Sequence, residues 1–419
     1  MKKIISVALA LVMVLGMAVS FSGCGGSDSG SSDIKIGAIM LGDENEGYTY
    51  AHIDGIKKAA KACGISEDQI IWKYSIGEDE ACLDAAKDLA DQGCTAVFSN
   101  SYGHQSYMKD AAEKYPDVTF VAATGDTAAA SGLDNFKNAF TNVFESRYVS
   151  GVVAGMKVKE LADSGKLTDK NKKDGKVKIG YVGAYPYAEV VSGYTAFFQG
   201  IKSVYEDVTM DVQYTNSWFD ITAEGEAANA LMSKGCVIIG QHADSTGAPA
   251  AVEAAQKKGT VAYSVGYNID MLSVAPNAAL TSATNVWEVY YEYAFRCLLD
   301  GKDIDTDWSK GYAEGAVAIT DLGDACAKGT KEAVDKAVEG IKDGSVKVFD
   351  VSKFTVAKGD FYKVDGDGHL TSCKAIDTDG DFKPDKEEAV KDGAFQESKF
   401  RSAPYFQLRI DGINELNAK

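Results

Sequence analysis

Ile34-Lys35-Ile36-Gly37-Ala38-Ile39-Met40 is a short run of β-forming residues, and the stretch that follows it, residues 50–63, has the pattern of a helix. The same unit is repeated down the chain. Further strands are predicted at residues 70–74, 96–100 and 119–123, with helices at residues 80–92 and 106–115. Strands and helices alternating at this spacing predict crossover units, and therefore a parallel sheet with helices on both faces.

The alternation restarts after a polar linker at residues 163–176. Strands are predicted at residues 177–182, 209–214, 237–240 and 261–265, and helices at residues 191–205, 223–233 and 248–258. The fold class is therefore α/β, with two doubly wound parallel-sheet lobes joined by a hinge. We place the first lobe at residues 34–145 plus about 286–320, and the second at residues 146–285 plus about 321–350. Residues 351–419 are rich in Asp, Gly and Lys and are expected to form a loop-rich extension that packs on one lobe.

The first residues of the chain have the parts of an export signal. Lys2 and Lys3 precede an apolar run, and Ser22-Gly23 stands directly before Cys24. This pattern predicts a lipoprotein signal peptide at residues 1–23, with Cys24 as the lipidated first residue of the mature chain; an ordinary secreted protein is the alternative. Residues 24–33 are mostly Gly and Ser and predict a flexible tether. We therefore expect the body to be anchored through lipid at the extracytoplasmic face of the cell membrane.

The net charge and the cysteines indicate which partners and which chemistry to expect. The net charge of −18 disfavours nucleic acid, because its phosphates would be repelled by such a surface. The seven cysteines other than Cys24 form no CxxC pair and are expected to be small buried residues. We expect no cofactor and a monomeric protein.

The loops after the predicted strands are rich in aromatic, amide and carboxylate side chains. These loops lie at residues 45–52, 100–104, 123–126, 184–187, 216–220, 241–245 and 266–270. Ligands of open parallel sheets bind at the carboxyl ends of the strands, and two facing sheets would close on a ligand by a hinge motion. Aromatic rings with amides and carboxylates suit a flat, neutral ligand with polar edges, and both sugars and nucleobases fit that description. The scarcity of Lys and Arg in the loops disfavours a phosphate.

Several of these stretches resemble the basic membrane protein family. The resemblance covers about residues 34–350 and is carried by Gly183-Ala184-Tyr185-Pro186, Glu189-Val190-Val191-Ser192-Gly193, Asn216-Ser217-Trp218-Phe219-Asp220, Gln241-His242-Ala243-Asp244-Ser245 and Asn285-Val286-Trp287 with Tyr290-Tyr291. It implies the type I periplasmic-binding fold and the role of a substrate-binding lipoprotein that serves the permease and ATPase subunits of an ABC importer. Gly47-Tyr48-Thr49-Tyr50 with His52, and Ser101-Tyr102-Gly103, are most similar to the purine-base-binding branch of the family.

The nucleoside-binding branch usually has an Asp and a Phe-Asn pair in the first loop, a Gly-Val-Asp-Ser-Asp loop, and a Lys on the returning segment. Here those positions resemble Asn45, Tyr48-Thr49, residues 266–270 and Asn285. The resemblance therefore implies a free purine base more than a nucleoside. It implies that Tyr48 and Trp218 stack on the base from opposite lobes, that Asp244, Asn268 and Asp270 read its edge, and that Tyr102, Gly125 and Asn285 line the pocket.

Other functions are compatible with parts of this sequence. A two-lobed clamp could instead report its ligand to a sensor kinase, or carry a sugar-type ligand in the same transport role. An enzyme is disfavoured, because His242, Asp244 and Ser245 are not accompanied by a GxSxG motif. A weak calcium candidate has its acids at Asp377, Asp379, Asp381, Asp385 and Glu388, but Phe382 stands where an EF-hand requires Gly, so a solvated acidic loop is the favoured interpretation.

Overall fold

A computed structural model of the protein describes residues 34–359, 361–374, 377 and 385–418. The predicted signal peptide, the tether, Cys24, Asp379 and Asp381 lie outside the described residues. Within the described part of the chain, no helix is both long enough and apolar enough to cross a membrane.

Strands and helices alternate through most of the chain. The strands are β1 (Ile36–Ile39), β2 (Ile70–Lys73), β3 (Ala96–Ser99), β4 (Thr119–Ala123), β5 (Phe136–Thr141), β6 (Lys172–Lys173), β7 (Lys176–Gly183), β8 (Val208–Tyr214), β9 (Ile238–His242), β10 (Tyr263–Tyr267), β11 (Ala279–Asn285), β12 (Asp307–Lys310), β13 (Val317–Ile319), β14 (Tyr362–Val364), β15 (Leu370–Cys373), β16 (Val390–Lys391), β17 (Ala394–Phe395) and β18 (Ile413–Glu415). The helices are α1 (Gly47–Cys63), α2 (Glu80–Asp91), α3 (Gln105–Lys114), α4 (Ala128–Ser131), α5 (Val143–Asp163), α6 (Ala188–Lys202), α7 (Ile221–Ser233), α8 (Gly247–Gln256), α9 (Trp287–Leu299) and α10 (Thr330–Asp343).

The two large sheets correspond to the two lobes. The first has the strand order β12-β5-β4-β3-β1-β2, and all of its neighbouring strands are parallel. The second has the order β13-β11-β10-β9-β7-β8-β18; β13 is antiparallel to β11, and β6 pairs antiparallel with β7. The prediction of two doubly wound parallel sheets is confirmed.

The chain passes between the lobes at three places: between β5 and α5, between β11 and α9, and between β12 and β13. The third crossing lies before residue 317, because β13 pairs with β11 in the second sheet. The expected first-lobe segment, residues 286–320, therefore ends too late. Side chains join the crossings: the Thr141 hydroxyl donates to Asn285 Oδ1 at 2.5 Å, and the Ser309 hydroxyl donates to Asn142 Oδ1 at 2.6 Å.

Local chemistry accounts for the placement of the key helices. Helix α1 begins where the Glu46 carboxylate accepts hydrogen bonds from the backbone N–H groups of Tyr48 and Thr49, both at 2.8 Å. Such an N-cap satisfies donors that the helix itself cannot. Helices α5 and α6 pack closely because Gly151 has no side chain; a Cβ there would lie 2.1 Å from the backbone oxygen of Phe197.

The C-terminal extension contacts both lobes, which corrects the expectation that it packs on one. Strand β18 extends the second sheet in parallel with β8, and the Phe406 ring stacks on Phe349 in the core of that lobe. Ser402 nevertheless donates hydrogen bonds to Asp307, which belongs to the first sheet. The composition of the extension gave no indication that it would contact the first lobe.

Candidate ligand-binding cleft

A cavity of about 400 Å³ lies between the lobes, at the carboxyl ends of both sheets. The first lobe contributes the loops after β1, β2, β3 and β4, and the second contributes the loops after β7, β8 and β9 and the end of β10. The lining residues are Leu41, Gly42, Asp43, Asn45, Glu46, Tyr48, Ser75, Asn100, Ser101, Tyr102 and Thr124 from the first lobe, and Glu189, Trp218, Phe219, Asp244 and Tyr267 from the second. This volume falls in the range of small-molecule sites.

Two aromatic residues from opposite lobes face this cavity, Tyr48 and Trp218. Tyr48 lies in the first turn of α1, where its hydroxyl donates to the backbone oxygen of Asn100 and its ring meets the His52 ring edge-on at 4.7 Å. Trp218 lies after β8, with its ring 5.5 Å from that of Tyr185. Both rings are therefore held by neighbours in their own lobe, and both line the same cavity.

The His52 side chain is structural. It is fully buried, its Nδ1 is 2.7 Å from the Tyr291 hydroxyl, and its ring stacks on Trp287 at 4.1 Å. Burial holds the pKa of His52 well below its usual value, so the imidazole is neutral and serves to support Tyr48.

Asp244 is the predicted edge-reading carboxylate that lines the cavity. Its Oδ1 accepts a hydrogen bond from Asn268 Nδ2 at 2.8 Å, and Asn268 Oδ1 accepts one from Asn285 Nδ2 at 3.1 Å. Asn268 and Asn285 are not among the lining residues, so they orient Asp244 from behind. Burial raises the pKa of Asp244 well above its usual value, and the nearby acids Glu46 and Glu189 raise it further.

Glu189, in the first turn of α6, is the second carboxyl that the second lobe contributes to the cavity lining, and the sequence did not single it out. Its Oε1 lies 3.1 Å from His242 Nε2, and His242 is fully buried. Burial raises the pKa of Glu189 to about 7, although the nearby Arg147 guanidinium opposes the rise. Burial and the same arginine hold the pKa of His242 well below its usual value, so the imidazole is neutral and can donate from Nε2.

Arg147 lies on α5, behind the side of the cavity that Glu189 lines. Its guanidinium is buried, with Cζ 3.6 Å from the centre of the Tyr267 ring, and its Nη1 donates to the backbone oxygen of Gln241 at 2.5 Å. Tyr267 lines the cavity, so the arginine supports a lining ring and partly neutralises the two carboxyls without lining the cavity itself. No Lys, Arg or His is among the lining residues.

Besides Asn268 and Asn285, three predicted site residues do not line the cavity. Thr49 is buried beside the cavity, where its hydroxyl accepts hydrogen bonds from the backbone N–H of Gly42 and from Asn100 Nδ2. Gly125 is required for packing, since a Cβ there would lie 2.3 Å from Asn138 Nδ2.

Asp270 is exposed and does not line the cavity. Its carboxylate accepts a hydrogen bond from the backbone N–H of Leu272 at 2.8 Å, so it closes a local turn. By contrast, Asn45 and Tyr102 do line the cavity.

Of the acids in the calcium candidate, the structure describes Asp377, Asp385 and Glu388. The Glu388 carboxylate accepts from the Ser372 hydroxyl and from the backbone N–H groups of Cys373 and Val390, which joins β15 to β16. Asp377 accepts from Arg401 Nη1 at 2.9 Å. In the part of the chain that the structure describes, no His, Cys, Asp and Glu side chains cluster as a metal site would require.

The two sheets, joined at three crossings and with a cavity at their carboxyl ends, have the arrangement of the periplasmic-binding fold. Similar solved structures include a solute-binding protein of Aeropyrum pernix K1 and a transcriptional activator of the comK gene from Bacillus halodurans. The first has a TM-score of 0.61 and 16% identity over 78% of this chain and 94% of that one. The second has a TM-score of 0.59 and 18% identity over 74% of this chain and 99% of that one. Identities this low establish the fold alone.

The protein belongs to the PnrA-like family of ABC transporter substrate-binding proteins, the Bmp family, which matches residues 40–350. A purine-binding protein of Brucella abortus is 32% identical over 73% of this chain and 80% of its own length. A putative ABC transporter glucose-binding protein of Haloferax volcanii is 28% identical over 80% of this chain and 79% of its own length. Basic membrane protein A2 of Borrelia garinii is 25% identical over 65% of this chain and 75% of its own length. The predicted family is confirmed.

Proposed function

We propose that this substrate-binding protein captures a free purine base in the interlobe cleft and delivers it to the permease and ATPase subunits of an ABC importer. The observation that carries the proposal is the pair Tyr48 and Trp218, one from each lobe, which line a single cavity. Purines are planar, and stacking of a base on an aromatic side chain contributes about 1–3 kcal/mol per base.

The polar lining favours an uncharged ligand that offers hydrogen-bond donors. Asp244 and Glu189 present carboxyl oxygens from the second lobe, whereas no basic side chain lines the cavity. Adenine and guanine carry exocyclic amino groups and ring N–H groups that such carboxyls can accept from. A nucleotide phosphate would meet four acidic lining residues, Asp43, Glu46, Glu189 and Asp244, and no cation, which disfavours it.

Calorimetric titration of the purified protein with adenine, guanine, hypoxanthine, adenosine, guanosine and glucose tests this proposal. We expect the free bases to bind and the nucleosides to bind more weakly. Binding of a nucleoside alone, or of glucose alone, would contradict the assignment. A sugar is the second candidate, because aromatic rings also stack on sugars and a relative is named as a putative glucose-binding protein.

Replacing Trp218 tests the stacking role directly. Trp218→Ala should weaken purine binding by about five- to 150-fold, the equivalent of the stacking free energy of one base. Tyr187→Ala is the matched control, since Tyr187 stacks on Tyr185 at 5.0 Å in the same cluster but is half-exposed and does not line the cavity. Equal losses in both variants would mean that the cluster acts as a unit and that Trp218 makes no special contact.

We further propose that the protein is lipid-anchored at the extracytoplasmic face of the cell membrane through Cys24 and works there as a monomer. The proposal is supported by Lys2, Lys3 and the apolar run that ends at Ser22-Gly23 before Cys24. Cys24→Ser should move the protein from the membrane fraction to the soluble fraction of the cell. Retention of the variant in the membrane fraction would contradict a lipid anchor.

A further inference from the structure

Residues 396–406, which we call the strap, lie outside the stretch that the family matches, residues 40–350. Both ends of the strap are fixed in the second lobe. Before it, Phe395 belongs to the core of that lobe; at its end, the Phe406 ring stacks on Phe349 with centres 4.6 Å apart and planes 14° apart. Beyond the strap, β18 pairs with β8.

The middle of the strap contacts the first lobe. Ser402 donates to Asp307 Oδ1 twice, from its backbone N–H at 3.0 Å and from its hydroxyl at 2.8 Å. Arg401 Nη1, which donates to Asp377 Oδ2 at 2.9 Å, also lies 3.6 Å from Asp126 Oδ2 in the loop after β4. Arg401 and Asp126 are each 5% exposed and Ser402 is fully buried, so these contacts are shielded from water. The strap is therefore a fourth connection between the lobes, made by hydrogen bonds and an ion pair and not by a passage of the chain from one lobe to the other.

Asp126 connects the strap to the ligand cavity. Its Oδ2, the oxygen nearest Arg401, also accepts from the Tyr102 hydroxyl at 3.4 Å, and Tyr102 lines the cavity. Its Oδ1 accepts from Gln105 Nε2 at 3.1 Å. Burial raises the pKa of Asp126, and the Arg401 guanidinium is the largest influence that opposes this rise. A buried carboxylate without its cation is costly, so loss of Arg401 would protonate Asp126 or turn it away from Tyr102.

We propose that Arg401 is a positioning residue for the ligand pocket: it holds Asp126 in place, and Asp126 fixes the Tyr102 side chain at the cavity wall. The C-terminal extension thereby takes part in ligand binding from outside the cavity. This inference rests on the proposed function only in that adenine affinity is one of its readouts.

A double-mutant cycle on adenine affinity tests the proposed connection. Arg401→Gln and Tyr102→Phe should each weaken adenine binding by about five- to tenfold, the usual effect of losing one hydrogen bond. The double variant should be no weaker than the weaker single variant, because both changes remove the same contact. Arg401→Lys retains the positive charge and should retain most of the affinity.

Arg409→Gln is the matched control. Arg409 also belongs to the extension and pairs with a carboxylate, Glu415, at 3.0 Å, but neither residue lines the cavity. It should bind adenine as the wild type does, and the thermal unfolding midpoint of every variant is measured beside its affinity. Wild-type affinity in Arg401→Gln, additive losses in the double variant, or an equal loss in Arg409→Gln would each overturn the proposal.

A second readout does not depend on the ligand. The ¹⁹F resonance of 3-fluorotyrosine placed at Tyr102 in the ligand-free protein should shift in Arg401→Gln and stay unchanged in Arg409→Gln. An unchanged resonance in Arg401→Gln would refute the positioning role even if purines bind. If the wild type binds no purine but the resonance shifts, the proposed function fails and the positioning role stands.

Discussion

Replacing Glu189 by Gln should stabilise the protein by an amount that grows with pH. Burial raises the pKa of this carboxyl from 4.5 to about 7 in the folded protein. The unfolded chain therefore loses this proton at a lower pH than the folded protein does, and wild-type stability falls as pH rises through that window. The difference in pKa corresponds to about 3 kcal/mol at 1.36 kcal/mol per pH unit.

Glutamine cannot ionise, and it retains an oxygen that can accept from His242 Nε2, now 3.1 Å from the carboxylate. Glu189→Gln should therefore match the wild type in unfolding free energy near pH 4.5 and exceed it by about 3 kcal/mol above pH 7. Urea unfolding followed by circular dichroism at pH 5, 6, 7 and 8 measures this difference.

Glu332→Gln removes one negative charge from an exposed position on α10 and serves as the control. It should leave the pH dependence of the wild type in place. A stability difference between Glu189→Gln and the wild type that is the same at pH 5 and pH 8 would refute the reasoning, because a cost of ionisation must vary across that range.

Three shorter predictions concern packing, thiols and the strap. Gly151→Ala should destabilise the protein by about 1–3 kcal/mol, because its Cβ would lie 2.1 Å from a backbone oxygen; Gly225→Ala, with its nearest atom at 3.5 Å, should be neutral or stabilising, and thermal unfolding separates the two. Among the described cysteines, only Cys63 and Cys326 are not buried, so a thiol reagent should modify these two in the native protein and the others only after unfolding; rapid labelling of a buried thiol would contradict the structure. Ser402→Ala should lower the unfolding free energy by about 1 kcal/mol through loss of the 2.8 Å hydroxyl bond to Asp307, and an unchanged urea midpoint would show that this bond contributes nothing.

The loop residues that follow each strand in sequence were largely accessible to prediction. Tyr48, Tyr102, Trp218 and Asp244 each follow a strand, in the loop or in the first turn of the next helix, and all four line the same cavity. Asp270 follows the same pattern and does not, since its carboxylate closes a local turn. Position after a strand therefore brings a residue to the right edge of the sheet, but the direction of its side chain depends on the conformation of the loop.

The contacts of Glu189 and of the strap could not be predicted from the sequence. In the sequence, Glu189 is an ordinary acidic residue in the first turn of a helix. In the structure it differs from such residues because the buried His242, at the end of β9, lies beside it. Arg401 lies in a loop-rich segment, and its pairing with Asp126 joins two segments that are far apart in the sequence. Neither the Glu189–His242 contact nor the Arg401–Asp126 contact produces a periodic pattern in the sequence, because each depends on which segments the fold brings together.

The sequence by itself determined the two parallel sheets, the order of strands and helices along the chain and the sheet edge at which the cavity lies, because alternation of apolar strands and amphipathic helices is a local pattern that permits few topologies. Only the tertiary structure decided which polar side chains lost water and which partners they gained. Burial raised the pKa of Glu189 and of Asp126, and burial is a property of the whole packed chain that no stretch of residues carries alone.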